Sequence, residues 1–441
     1  MSTTNIDVVK IAQDLIRIPT INPPGNEKPA IDYIQNLLNN YGIKSTICAL
    51  DQQRPNLIAR IKGNGNTSPV LLYGHVDVVP VEDEKWTYPP FSGEIQHGFL
   101  WGRGALDMKG GVAMMLAAFL EYHKKPGSSD IILAIVSDEE AGGKYGASFL
   151  CDKHHDLFTG VKHAIGEFGA FSFYIAGQHF LPIQVEEKIH CSVDITLFGE
   201  GGHASVPSNN NVIFRAAKVL DAINHLKPNY SITPSVKMMI QGLRNKLKGI
   251  PRFVLGLLLH RTTIPLGLKL LGSRRRVFEP LLRTMITPTI IHAGLKRNVI
   301  PDSLTIECDI RLLQPGDETI LLKQLSRCGV KLEEITFNIT AEKKTSPEMS
   351  QYESLCRILK EMVPDAHPVP MLLPGVTDGR HFSRLGIQTY GFLPMIMPPG
   401  IVFNQLIHGI DERIATDTLI LGSKAIYQYI ATYGDGYVAP A

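Results

Sequence analysis

The chain lacks the features that would place it across a membrane or in a disulfide-bonded setting. No uninterrupted apolar stretch reaches the ~18 to 20 residues that cross a bilayer, so the sequence offers no spanning helix. Its six cysteines, at positions 48, 151, 191, 308, 328 and 356, form no CxxC pair, which favours reduced thiols over a disulfide framework. The opening residues, MSTTNIDVVKIAQDL, have no basic start followed by an apolar run, which argues against a secretory signal. A cytoplasmic location is the expectation from these absences.

At 441 residues, with 44% hydrophobic and 20% charged content, the chain can build two or three domains with a large core. Its net charge of +2 conceals an asymmetry. Between Lys237 and Arg283 stand eleven Lys and Arg against one acid, Glu279, which leaves the remainder at minus 8. No recognition motif or interleaved aromatic series accompanies this basic stretch, so nucleic acid is not an expected partner.

Polar residues with metal-binding chemistry sit where apolar strands end. Val70-Leu71-Leu72-Tyr73 runs into Gly74-His75-Val76-Asp77, and Ile131 to Val136 runs into Ser137-Asp138-Glu139-Glu140. In His75-x-Asp77 the two side chains share one side of extended backbone, so one can bind an ion while the other orients it. Three consecutive acids at the end of a buried strand repel one another and lose hydration, which a cation would offset. Asp107 lies in Gly102-Arg103-Gly104-Ala105-Leu106-Asp107, Glu167 follows Ala164-Ile165-Gly166, and His408 comes late. His75, Asp107, Glu140, Glu167 and His408 form a set of two His and three carboxylates; with Asp107 shared, it offers three ligands to each of two zinc ions and leaves a position for water.

The segments GHVDVVP, GRGALDMKGG, SDEEAGG, GEGGHASVP, NVIP, DIRLL, GVTDGRHF and IHGIDERI span nearly the whole chain. In type and order they resemble the motifs of the dinuclear zinc family that contains aminoacylase, acetylornithine deacetylase, succinyl-diaminopimelate desuccinylase and glutamate carboxypeptidase. The resemblance implies a zinc-dependent hydrolase of N-acyl amino acids or of C-terminal peptide bonds of short peptides, working through a metal-bridging hydroxide. It implies Glu139 as general base and acid, Asp77 as support for His75, Glu140 and His408 on one Zn2+, His75 and Glu167 on the other, and Asp107 bridging. Co2+ or Mn2+ are possible substitutes. His203 becomes a candidate oxyanion stabiliser, reaching the site across a dimer interface in many members; Asn298, Arg311 and Gly375 become candidate substrate contacts, with Arg311 able to grip a carboxylate through two parallel hydrogen bonds. Locally, Arg311 has Asp309 and Asp302 as alternative partners. Glu167 departs from the family pattern, since Phe168 follows it where Pro or another turn residue is usual. A cis peptide between Asp107 and Met108 is also implied. A dipeptidase, a biosynthetic N-deacetylase and a catalytically silent binding module of the same fold are the alternative readings.

The order of elements predicts an α/β mixed-sheet catalytic domain over residues 1–187 and 344–441, interrupted at 188–343 by an α+β lid of β-α-β-β-α-β order. The resemblance implies that the lid can form a homodimer. A further insertion, at about 238–283, carries two apolar runs, Phe253 to Leu259 and Ile264 to Leu271, with Arg274-Arg275-Arg276 behind them. It resembles the branch containing carboxypeptidase S and the hydrolases of N-fatty-acyl amino acids. Two short helices with cationic flanks there would either pack on the lid or border the cleft, receive a bulky acyl group and touch lipid surfaces. Two other groupings carry less. Cys151, His154, His155 and His163 lack the spacing of a structural zinc site, and Gly199, Gly201 and Gly202 lack the Lys-Ser or Lys-Thr of a phosphate loop.

Overall fold

The computed structural model describes residues 6–81, 85–206, 208–226, 229–339 and 347–434. The expected boundary at 343/344 lies outside the described residues.

A nine-stranded mixed sheet forms the larger body. Its order is Ser45–Cys48, Asn56–Ile61, Ser129–Val136, Thr67–His75, His163–Gly166, Gln388–Gly391, Gln178–Glu187 and His367–Leu373, with Phe173–Ile175 pairing on Gln178–Glu187. Thr67–His75 runs parallel to both Ser129–Val136 and His163–Gly166. These strands are apolar along nearly their whole length because both faces are covered, as is usual for parallel sheets. Lys109–Lys124 is a nearly all-round buried helix, consistent with its apolar sequence, and it packs between Val8–Ile16 and Thr416–Thr432.

The second core belongs to a four-stranded antiparallel sheet, ordered Met285–Ala293, Ser303–Leu312, Ile189–Phe198 and Ile335–Ile339, with helices Val212–Asn224 and Asp317–Arg327. Alternation is clean in its two central strands: Ile189–Phe198 buries every second residue against the helices.

Of the two placements open for the insertion, on the lid or bordering the cleft, its packing is against the larger body. Its helices Pro234–Lys246, Gly249–Leu257 and Ile264–Leu270 place Ile240, Leu243, Leu255, Leu258, Ile264 and Leu268 in the core of the large sheet. A Cβ added to Gly242 would meet Val369 Cγ1 at 3.0 Å, so the first of these helices lies directly on the His367–Leu373 edge strand. The insertion therefore borders the larger body.

Candidate metal centre and the chain's relatives

The carboxyl ends of the central parallel strands meet at one place, the usual site of ligand binding in such sheets. His75 ends its strand beside Val136, Ser137 to Glu140 follow Val136, and Glu167 follows Gly166. Asp107 arrives from the hairpin Glu94–Gln96/Phe99–Trp101, just before the Lys109–Lys124 helix, and the Asp107–Met108 peptide is cis. His408 arrives from the loop before Arg413–Ala415 with a φ of 59°.

The two oxygens of Asp107 face two histidines. Oδ1 is 3.2 Å from His75 Nε2 and Oδ2 is 3.2 Å from His408 Nε2. His75 Nε2 also lies 3.5 Å from Glu167 Oε2, and His408 Nε2 lies 3.3 Å from Glu140 Oε2. Ligand atoms of His75, Glu139 and Glu167 fall within 4.8 Å of one another, as do those of His75, Asp107 and Glu140. Glu139 thus stands on the Glu167 side of the cluster. The donor set is all carboxylate and imidazole, as zinc accepts, and Glu140 Oε1 is buried without a hydrogen-bond partner among the described residues.

The crowding is visible in the acid strengths. Burial, then the Glu167 charge, raises the Glu139 carboxyl well above its ordinary range. Burial pushes Glu167 up to about 8 against its His75 contacts. Asp107 goes the other way: burial opposes its charge, but hydrogen bonds to His408 and His75 hold it below the usual carboxylate range. His408 is raised to about 10 by Asp107 and then Glu140. One cation in each half of the cluster would replace the protons that these groups otherwise hold.

Surrounding residues fix the site. Asp77 accepts from the backbone N–H of Glu139 and Glu140, each at 3.1 Å, and from Asn22 Nδ2 at 2.8 Å, while its carbonyl oxygen is 3.0 Å from His75 Nδ1. Asp77 therefore sets both the imidazole, through its main-chain carbonyl, and the turn bearing two acids, through its carboxylate. Arg54 donates to Glu27 at 2.6 Å and lies 2.9 Å from Asp138, which keeps that turn anchored. Lys109 Nζ, fully buried, donates to the Ile18 carbonyl at 2.6 Å; burial lowers its pKa to about 7 against Asp77 and Glu412. The GVTDGRHF segment supplies buried Asp378, Arg380 and His381.

The lid-side candidates are elsewhere. His203 is exposed on a two-residue strand paired with Val299–Ile300, and its Nδ1 contacts Ser205 Oγ at 2.7 Å. Asn298 adjoins it through its carbonyl, which accepts from Ala204 N at 3.0 Å. Arg311 donates to Asp309 through Nε and Nη2 at 2.9 and 3.1 Å. Among the described residues, none of the three is hydrogen-bonded or ion-paired to the cluster. Gly375 lines an apolar cavity of about 350 Å³ that also touches Phe168, next to Glu167, and Ile407, next to His408. Met239, Val277 and Leu281 bring the insertion to the same cavity.

Asn22, Arg54, Glu412 and Lys109 had no role in the reading from sequence. Arg103, Lys109 and Glu412 lie inside the quoted motifs, and a buried charge beside a ligand is the signal that would have marked them; Asn22 and Arg54 come from unrelated segments.

Comparison with known proteins agrees with this geometry. The profile of Peptidase family M20/M25/M40 matches residues 71–432. The probable carboxypeptidase S-like 2 of Dictyostelium discoideum is 28% identical over 403 residues, covering 86% of this chain and 72% of that protein. The N-fatty-acyl-amino acid synthase/hydrolase PM20D1 of Xenopus tropicalis is 27% identical over 453 residues, covering 98% and 87%. The crystal structure of an M20 family metallo-carboxypeptidase, Sso-CP2 of Sulfolobus solfataricus, superposes with a TM-score of 0.73 at 18% identity over 97% of this chain and 99% of that one, which shows the common fold. The motifs, the fold and the profile together identify the chain as a member of Peptidase family M20/M25/M40, a family of metal-dependent hydrolases.

Proposed function

We propose that this chain hydrolyses an amide bond in N-acyl amino acids, including those with bulky apolar acyl groups, or the C-terminal peptide bond of short peptides. The observation that carries the reading is Asp107, whose two oxygens each face a histidine that has its own second carboxylate. On this reading His75 and Glu167 hold one zinc ion, His408 and Glu140 the other, and Asp107 both. When bound, the ions would supply an activated water and polarise the scissile carbonyl.

The chain's own residues do the rest. Glu139 is no member of either triad in this assignment, and its place beside His75 and Glu167 suits a group that takes a proton from the attacking water and gives it to the leaving nitrogen. Asp77 keeps His75 in one orientation. The apolar cavity beside Phe168 and Ile407 receives the acyl group. We read 188–343 as a lid on a catalytic domain of 1–187 and 344–441, able to pair two copies; lid movement, or a second copy, would bring His203 to the developing oxyanion and Asn298 and Arg311 to the substrate carboxylate. Asp309 then acts as the holder of the Arg311 guanidinium.

The test is an assay of zinc-loaded protein on a panel of N-acyl amino acids and dipeptides, with a chelated control. We expect metal-dependent release of the free amino acid. Turnover that survives complete metal removal, or none on any amide, would overturn the reading.

A further inference from the structure

We propose that the outer side of the insertion is a docking surface for anionic lipid bilayers. The hairpin of Gly249–Leu257 and Ile264–Leu270 is firmly seated: Val254, Leu255, Leu258, Ile264 and Leu268 are buried, and a Cβ on Gly267 would meet Leu258 Cδ2 at 2.8 Å. Yet its other side is also apolar. Ile250 is 78% exposed, Phe253 62%, Leu266 52% and Leu270 53%. A surface helix normally turns polar residues outward, so a helix pair apolar on both sides needs a second apolar partner.

The charge pattern says which partner. Lys248, Arg252 and Lys269 are exposed among these side chains, and Arg274, Arg275 and Arg276 follow. The one acid of the stretch, Glu279, is taken by Arg275 at 2.7 Å and Arg283 at 3.1 Å. Because the remainder of the chain is net negative, this cationic surface is a local feature. A second copy docking face to face would set these cations against themselves with no free acid between them. Nucleic acid would call for stacking aromatics, and the exposed apolar groups here are mainly aliphatic. An anionic bilayer answers both halves, taking exposed aliphatic side chains at the acyl boundary and basic ones at the headgroups. With helices of 9 and 7 residues the contact lies on the surface, and no helix among the described residues is long and apolar enough to cross.

Val277 and Leu281, from the same insertion, line the apolar cavity, so a chain seated this way draws acyl substrates from the phase in which they concentrate. The docking itself does not depend on the hydrolase reading, because binding is measured without substrate.

The experiment is co-sedimentation of the metal-loaded full chain with phosphatidylcholine vesicles and with vesicles that also contain phosphatidylserine. Binding should require phosphatidylserine and fall steeply as salt rises, about fivefold per basic residue engaged. The variants Phe253→Ser/Leu266→Ser/Leu270→Ser and Lys248→Glu/Lys269→Glu/Arg274→Glu should each lose at least tenfold in binding while melting as the parent does. If a variant fails to fold, the salt and lipid dependence of the parent alone decides. No binding to anionic vesicles at low salt, equal binding to neutral ones, or an apolar variant that splits a dimer without weakening lipid binding would overturn the proposal.

Discussion

Arg103 Nη1 and Glu412 Oε2 meet at 2.9 Å in the interior, and together they tie the loop of Asp107 to the loop of His408. Glu412 accepts from the backbone N–H of Gly104, Leu106 and Asp107 at 3.0, 2.7 and 3.1 Å. Arg103 donates to the carbonyls of Gly409 and His408 at 3.0 and 3.3 Å. The pair thus sets the spacing between a shared carboxylate and a histidine that lie about three hundred positions apart in sequence.

Removing the Glu412 charge should accordingly loosen metal binding before it abolishes the fold. Glu412→Gln keeps an acceptor for the backbone donors but leaves Arg103 buried without its counter-charge. We expect zinc affinity to drop roughly 10- to 100-fold, and stability to fall by about 3 kcal/mol in Glu412→Ala. Chelator-competition titration checks the first and denaturant unfolding the second. Unchanged zinc affinity in a folded Glu412→Gln protein would remove the pair from any positioning role.

Glu139→Gln separates chemistry from binding. The amide cannot carry protons, so metal content should stay at the parental level while kcat falls by about two to four orders of magnitude. Metal analysis alongside steady-state rates is the measurement, and near-parental kcat in a metal-replete variant would take Glu139 out of the proton path.

Part of this site could be read from single positions, because His75, Glu140 and Glu167 stand at or just after strand ends where apolar runs stop, whereas Asp107 and His408 lie in loops. The same local logic reads a helix over 110–123 and a strand over 303–312, where the structure has Lys109–Lys124 and Ser303–Leu312. It missed three strands with proline in their interior. Gln178–Glu187 carries Pro182, whose ring supplies no N–H to the ladder, and His367–Leu373 carries Pro368 and Pro370, tolerated because that strand is the last in its sheet. Met285–Ala293 holds Pro288 at an irregularity in its pairing, again on an edge. The supports from Asn22 and Arg54 were illegible for another reason: they act across 27 to 116 positions, and nothing local distinguishes them from ordinary loop residues.

His381 predicts a pH dependence. Burial, with Arg380 and Arg384 next, holds its pKa down at about 3, and its Nε2 accepts from Arg380 Nε at 3.1 Å. The folded protein keeps the ring neutral, whereas the unfolded chain protonates it near pH 6.5. The stabilisation is therefore complete above about 6.5 and is lost as pH falls toward 3, by about 1.4 kcal/mol per unit. His381→Gln retains an acceptor without titrating, so its deficit relative to the parent should shrink at that rate between pH 6.5 and 4.5. Denaturant melts of metal-free protein across this range give the difference; a constant deficit would mean that the ring titrates normally.

The last prediction concerns the cavity between the insertion and the candidate metal centre. Its volume of about 350 Å³ is at the lower end of ordinary ligand pockets, and Phe168 and Ile407 connect its wall to Glu167 and His408. If the acyl group lies there, each buried methylene adds about 0.8 kcal/mol, which is roughly fourfold in kcat/KM. The increase should continue over several carbons and then level off when the cavity is full. Val277 lines the wall and is partly exposed, so Val277→Trp can fill space there without forcing a bulky ring into the packed core. In that variant kcat/KM for long-chain N-acyl amino acids should fall by at least tenfold while N-acetyl substrates keep the parental rate, because only the distal carbons meet the new ring. A profile flat with chain length in the parent, or an equal loss for acetyl and long-chain substrates in Val277→Trp, would place the acyl group elsewhere and leave the insertion without a part in selectivity.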